Sequence, residues 1–137
     1  MLFRSLSVKE AIKAVEMRDG VLAGISKGKL WLEMSTTDEA EIRRIGAMVE
    51  EIGALPVDCP VSGGCHRAAT GNISIFAGCS RSTFELALPI LTTMGRRILH
   101  TGGLGSASIL KVMTNYLATV NLTSIADRKS TRLNSSH

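Results

Sequence analysis

The sequence has no apolar stretch approaching the roughly eighteen to twenty residues that a membrane span needs, so no spanning helix is expected. Its three cysteines, Cys59, Cys65 and Cys79, are odd in number and lack paired C-x-x-C spacing. That argues against a disulfide framework and for a reducing compartment. Cys65-His66 with Cys79 could be imagined as zinc ligands, but no second pair stands at zinc-site spacing, so no metal is expected. No internal repeat or low-complexity segment is present, which excludes a repeat architecture.

Charge of one sign is also scarce once the termini are set apart. The chain holds 16 lysines and arginines against 12 acids, a formal net charge of +4. Asp127 to His137 is polar, lacks apolar periodicity, and back-translates to a common short-read sequencing adapter. Met1-Leu2-Phe3-Arg4-Ser5 fits the reverse complement of that adapter. Residues 1–5 and 127–137 are accordingly expected to be adapter-derived, the latter disordered, with residues 6–126 genuine; a natural basic tail is the alternative. The flanks carry Arg4, Arg128, Lys129 and Arg132 against Asp127, and without them the net charge falls to +1. A basic surface for nucleic acid or an anionic membrane therefore has no support, and neither partner is expected.

What is present alternates between strand and helix patterns. Ser7 and Glu10 form a capping box, and Val8, Ile12 and Val15 share one face of a helix that should end near Met17, before Asp19-Gly20. Lys29 to Met34 reads as a buried strand, and Ser35-Thr36-Thr37-Asp38 supplies caps for a helix carrying Ile42, Ile45, Val49 and Ile52. Leu55 to Cys59 is the next strand, followed by the turn Ser62-Gly63-Gly64 and a strand over Asn72 to Ala77. Ser82 with Glu85 predicts a second capping box, opening a helix that Pro89 should kink and Gly95 should close. Arg97 to His100 is a last strand, and a helix apolar almost all round is predicted from Ala107 to Asn121. Alternation of this kind implies an α/β sheet layer with helices packed on it.

Three places could carry chemistry. Ser62-Gly63-Gly64 puts a hydroxyl and unhindered N–H groups at a strand end, able to grip a carboxylate or phosphate, or serving only as a strand-exit loop. Lys111 lies within Ile109-Leu110-Lys111-Val112-Met113, and Asn115 follows four residues later on the same helix face. A desolvated lysine there can exchange a proton, whereas one at a helix side can snorkel to water. His66 adjoins the glycine turn, and His100 ends a strand as a structural group.

Taken in order, Glu33-Met34-Ser35-Thr36, Asp58-Cys59-Pro60-Val61-Ser62-Gly63-Gly64, Ala69-Thr70-Gly71-Asn72-Ile73, Met94-Gly95, Gly102, Gly105, and Lys111 with Asn115 resemble the β-hydroxyacid dehydrogenases. The likeness extends over nearly the whole of residues 6–126. It implies the C-terminal part of a Rossmann-like dinucleotide-binding domain over residues 6–104, then the first helix of an all-α domain over 105–126. It also implies that Ser62, Gly63 and Gly64 bind a substrate carboxylate, that Lys111 is the catalytic acid/base, and that Asn115 orients substrate. Thr36 matches the position beside the nicotinamide of NAD or NADP. The implied reaction moves hydride between the alcohol carbon of a small hydroxy acid and nicotinamide.

Departures from that pattern lie around the same turn and helix. Ala107 stands where a glycine is common, Thr114 where many members have asparagine, and Cys65-His66-Arg67 in a loop that is usually smaller. Arg67 reads either as a contact to a second acidic group or as a solvated side chain. No G-x-G-x-x-G fingerprint follows an N-terminal strand, so this polypeptide alone is expected to bind cofactor poorly and be inactive. The parent is expected to be a homo-oligomer of the cytoplasm, or of the mitochondrial matrix in a eukaryote. Alternatives are an imine reductase relative and a non-catalytic dehydrogenase-like interaction module; both usually lose the lysine that this chain keeps.

Overall fold

Leu30, Trp31 and Leu32 are a short apolar run between turn-forming neighbours, and they make the first strand of a five-stranded sheet. The computed structural model describes residues 8–134. Two short helices, α1 (Val8–Glu16) and α2 (Val21–Gly24), precede strand β1 (Leu30–Glu33). Helix α3 (Glu39–Glu51) returns the chain to β2 (Leu55–Asp58), parallel to β1 with Leu30 opposite Leu55 and Glu33 opposite Asp58. Two-residue strand β3 (Val61–Ser62) and one-and-a-half-turn helix α4 (Gly64–Ala69) lead to β4 (Ser74–Gly78). Then come α5 (Arg81–Met94), β5 (Arg97–Gly102) and the long α6 (Ser106–Asn134).

The sheet is staggered. β2 pairs with β1 along its length but meets β4 only at Asp58, opposite Gly78, in antiparallel sense. Beyond Cys59-Pro60 the same extended segment continues as β3, antiparallel to β4 with Val61 opposite Ile75. Pro60 has no N–H to donate, which interrupts the strand, yet its carbonyl accepts from Phe76 N at 3.1 Å. β5 completes this side in parallel with β4. Asp58 therefore stands at the junction of two half-sheets.

Each half has its own apolar cluster. Val15, Trp31, Ile45, Val49 and Ala54 pack under β1, where Ile42, Ile45 and Val49 form the buried stripe of α3. Val57, Ile75, Ala77, Phe84, Ala87 and Leu91 pack between the sheet and α5. Burying a side chain the size of Leu91 or Ile75 contributes about 1.5–3 kcal/mol, so both clusters hold the strands against chain entropy.

Several elements differ from the pattern in the sequence. The Ser7 cap lies outside the described residues, as do residues 1–5 and 135–137. Asp38 does cap α3, accepting from Ala40 N at 2.8 Å. The cap of α5 is Ser80, which accepts from Thr83 N at 3.2 Å, while Glu85 pairs with Arg81 instead of closing a box with Ser82. Ser80 is already extended and comes first, so the helix begins two residues earlier. That helix runs on through exposed Pro89. Helix α6 continues to Asn134, eight residues past the boundary at 126 and through residues expected to be disordered. Once a helix is nucleated, adding further residues costs little.

Candidate active site

The turn after β3 has a backbone that only glycine adopts without strain: Gly63 has φ 137° and Gly64 φ 68°. The sharp reversal starts α4 directly from the strand, leaving Ser62 and Gly63 half-buried and Gly64 exposed. A Cβ built at Gly63 would stand 3.1 Å from both Cβ and Cδ of Arg67, so the aliphatic stem of that arginine lies over the glycine. His66 and Arg67, expected in a loop, are on α4 and exposed.

The root of α6 is fixed to the sheet beside this segment. Gly78 leaves the space that the incoming turn occupies, since a Cβ there would lie 2.9 Å from Gly103 O and from Ser106 Oγ. Thr101 Oγ1 donates to Ala77 O at 3.2 Å and is 2.7 Å from Ser106 Oγ. Ala107, at the position where glycine is common, is fully buried. Next to it, Ser108 donates through both N and Oγ to the Asp58 carboxylate, each at 2.8 Å. Both residues are removed from water.

Burial pushes the Asp58 carboxyl above the usual range; the Ser108 hydrogen bonds oppose the shift, and nearby Glu33 adds to it. In the sequence Asp58 stands out only as part of the glycine-turn motif. The available signal was an acid in the apolar run Leu55 to Cys59, since a buried carboxylate needs donors. Its donor lies fifty residues away, so no local spacing points to it.

Lys111 is three residues beyond Ser108, on the neighbouring part of the same helical face. It is half-buried, and among the described residues no acid or acceptor pairs with its ammonium. Burial pulls its pKa below the usual lysine value. Asn115, one turn on, is exposed; Thr119 Oγ1 donates to its carbonyl at 3.0 Å. Thr36 is exposed after β1, beside Thr37, whose buried Oγ1 lacks a hydrogen-bond partner among the described residues. The Lys111 helix is thus tied to the strand leading into Ser62-Gly63-Gly64, and Thr36 lies just past the end of β1, the neighbour of that strand.

His100 is structural, with Nε2 2.9 Å from Cys79 O and its ring 4.6 Å from that of Phe84. Burial raises the thiol of Cys79 to about 11 and that of Cys59 further, so neither is poised as a nucleophile. No described helix is long and apolar enough to cross a membrane.

Comparison with known proteins identifies relatives of this chain. The family model described as the NAD binding domain of 6-phosphogluconate dehydrogenase matches residues 1–102. NAD-dependent L-serine dehydrogenase of Pseudomonas aeruginosa is 38% identical over 109 residues, 80% of this chain and 37% of that protein. Human mitochondrial 3-hydroxyisobutyrate dehydrogenase is 32% identical over 117 residues, 85% of this chain and 35% of that protein. A solved 3-hydroxyisobutyrate dehydrogenase of Mycobacterium tuberculosis, with L-serine, superposes with a TM-score of 0.74 at 33% identity, covering 77% of this chain and 36% of its own. The chain therefore spans about a third of the length of the relatives it matches. With a Rossmann-like mixed sheet and a family match over most of its residues, it belongs to the family of the NAD-binding domain of 6-phosphogluconate dehydrogenase.

Proposed function

We propose that this chain contributes the substrate turn and the proton-transfer lysine of an NAD(P)-dependent dehydrogenase acting on small β-hydroxy acids. The observation that carries this reading is Lys111: half-buried, without an acid partner among the described residues, and held on a helix whose root is bonded to the strand entering Ser62-Gly63-Gly64. A lysine shifted downward by desolvation is closer to exchanging a proton near neutral pH than an exposed one.

In this reading Ser62 and the backbone of Gly63 and Gly64 receive the substrate carboxylate. Asn115, one turn along from Lys111, steadies the substrate. The Lys111 amine accepts the hydroxyl proton as the alcohol carbon is oxidised, and returns it in reduction. Thr36, exposed beyond the end of β1, is assigned to the nicotinamide end of the cofactor by the family resemblance. When bound, the nicotinamide supplies the hydride acceptor or donor. Residues 105–126 would open a helical domain, and the exposed apolar side chains of α6 favour a homo-oligomer. Free cysteines suit a reducing compartment, cytoplasm or mitochondrial matrix.

The test is steady-state turnover by the complete enzyme, with NAD+ and NADP+ separately, on 3-hydroxyisobutyrate, L-serine and related hydroxy acids. Substrate-dependent reduction of the nicotinamide is expected. Reduction of cyclic imines with no turnover of hydroxy acids would replace this reading with that of an imine reductase.

A further inference from the structure

Arg67 is the feature of the glycine turn that the proposed reaction leaves unused. Its stem lies over Gly63, one helical turn earlier, so the side chain is guided across the turn proposed to hold the substrate carboxylate. On α3 and α5 the arginines are neutralised: Arg43 by Glu39, Arg44 by Glu16 and Glu41, and Arg81 by Glu85. No such partner stands beside Arg67 among the described residues, and the residue is exposed. A stem that passes over Gly63 keeps the base of the side chain beside the turn. A guanidinium there matches a carboxylate through two parallel N–H donors.

We infer that Arg67 is a specificity-determining residue that binds a second carboxylate of the substrate, making the preferred substrate a β-hydroxy dicarboxylic acid. The inference rests on the hydroxy-acid reading above. One carboxylate lies on the Ser62-Gly63-Gly64 turn, and the other reaches the Arg67 guanidinium on α4. A monocarboxylate leaves that guanidinium in water and gains nothing from it.

A matched pair of probes tests this in the complete enzyme with its nicotinamide cofactor. 3-Hydroxyisobutyrate carries one carboxylate; 2-(hydroxymethyl)succinate is the same skeleton with a carboxylate replacing one hydrogen of the methyl group. The native enzyme is expected to favour the diacid in kcat/KM by roughly tenfold or more. Arg67→Ala should lower diacid kcat/KM by roughly 10- to 100-fold, chiefly through KM, and leave the monoacid within about twofold. Arg67→Lys should recover part of the loss, since it restores charge without the fork. Equal losses on both probes, or no loss on either, would overturn the inference. Turnover of the monoacid alone by the native enzyme would overturn it and leave the hydroxy-acid reading standing, whereas turnover of neither defeats both.

Discussion

The root and the stem of α6 obey opposite rules. At the root, Ala107 and Ser108 are buried, and the polar groups there are satisfied by Asp58 and Thr101. Along the stem the apolar side chains face water: Tyr116 is 68% exposed, Leu122 71% and Ile125 67%. A helix normally hides its apolar residues and shows its polar ones. Here the polar contacts fix where the helix starts, and the apolar ones fix nothing in the described residues. Lys111 lies at the change between the two regimes, the place where a lysine can be partly desolvated yet still meet a solute. Orientation at the root and openness farther along are both needed for a proton-transfer group.

The largest effect should come from the boundary residue. Lys111→Ala is expected to reduce kcat of the complete enzyme by about 10²–10⁴-fold while changing stability by less than about 1 kcal/mol. Near-native kcat in that variant would remove the lysine from the reaction and make the root a purely structural anchor.

Next is the root itself. Asp58→Ala strips both acceptors from Ser108 N and Oγ, leaving buried donors unpaired, and should cost about 2–4 kcal/mol in urea unfolding. Ser108→Ala removes the hydroxyl but leaves the backbone N–H bonded to the carboxylate, so a loss nearer 1 kcal/mol is expected. Equal losses would mean that the hydroxyl, and not the carboxylate, carries the anchor.

The same carboxylate makes the root pH-sensitive in an unusual direction. Its folded pKa is raised, so the folded state keeps the proton to higher pH than the unfolded chain does. The stability linked to Asp58 is then fully present below the ordinary aspartate value of about 3.9 and is lost as pH rises through the folded value. Urea midpoints of the native chain, compared with Asp58→Asn over that interval, should show an extra decline with rising pH in the native chain. A rise relative to the variant would contradict the assigned direction.

The smallest effect belongs to the stem. Leu122→Ser with Ile125→Ser removes two exposed apolar side chains and should shift the unfolding free energy of this chain by no more than about 0.5 kcal/mol. A loss above about 1.5 kcal/mol would show that the stem is covered when the chain folds, erasing the contrast with the root.

How far the sequence revealed this arrangement depended on the range of each interaction. Strands β1, β2 and β5 and helix α3 were readable because Trp31, Val57, Ile42, Ile45 and Val49 follow local periods and Asp38 caps within two residues. β4 was displaced by two residues at its start because Asn72 N bonds back to Arg67 O and stays in the turn. Helices α2 and α4 are too short to show a period. At α5, Ser80 and Ser82 both had suitable side chains, and only the extended backbone at Ser80 decided between them. Of the site, the glycine turn and Lys111 were visible as a motif. The Asp58–Ser108 bond that joins their elements spans fifty residues, and hydrogen bonds at that range leave no spacing rule behind.

The segment from Leu55 to Ser62 serves two half-sheets with one continuous backbone. Strand side chains alternate faces with a period of two. One codon inserted between Asp58 and Val61 would therefore leave β1 and β2 in register and turn Ser62 to the opposite side of β4. Natural variation here should run to substitution, with length changes diverted to the α4 loop, where Ala68 to Gly71 can absorb an extra residue at the surface.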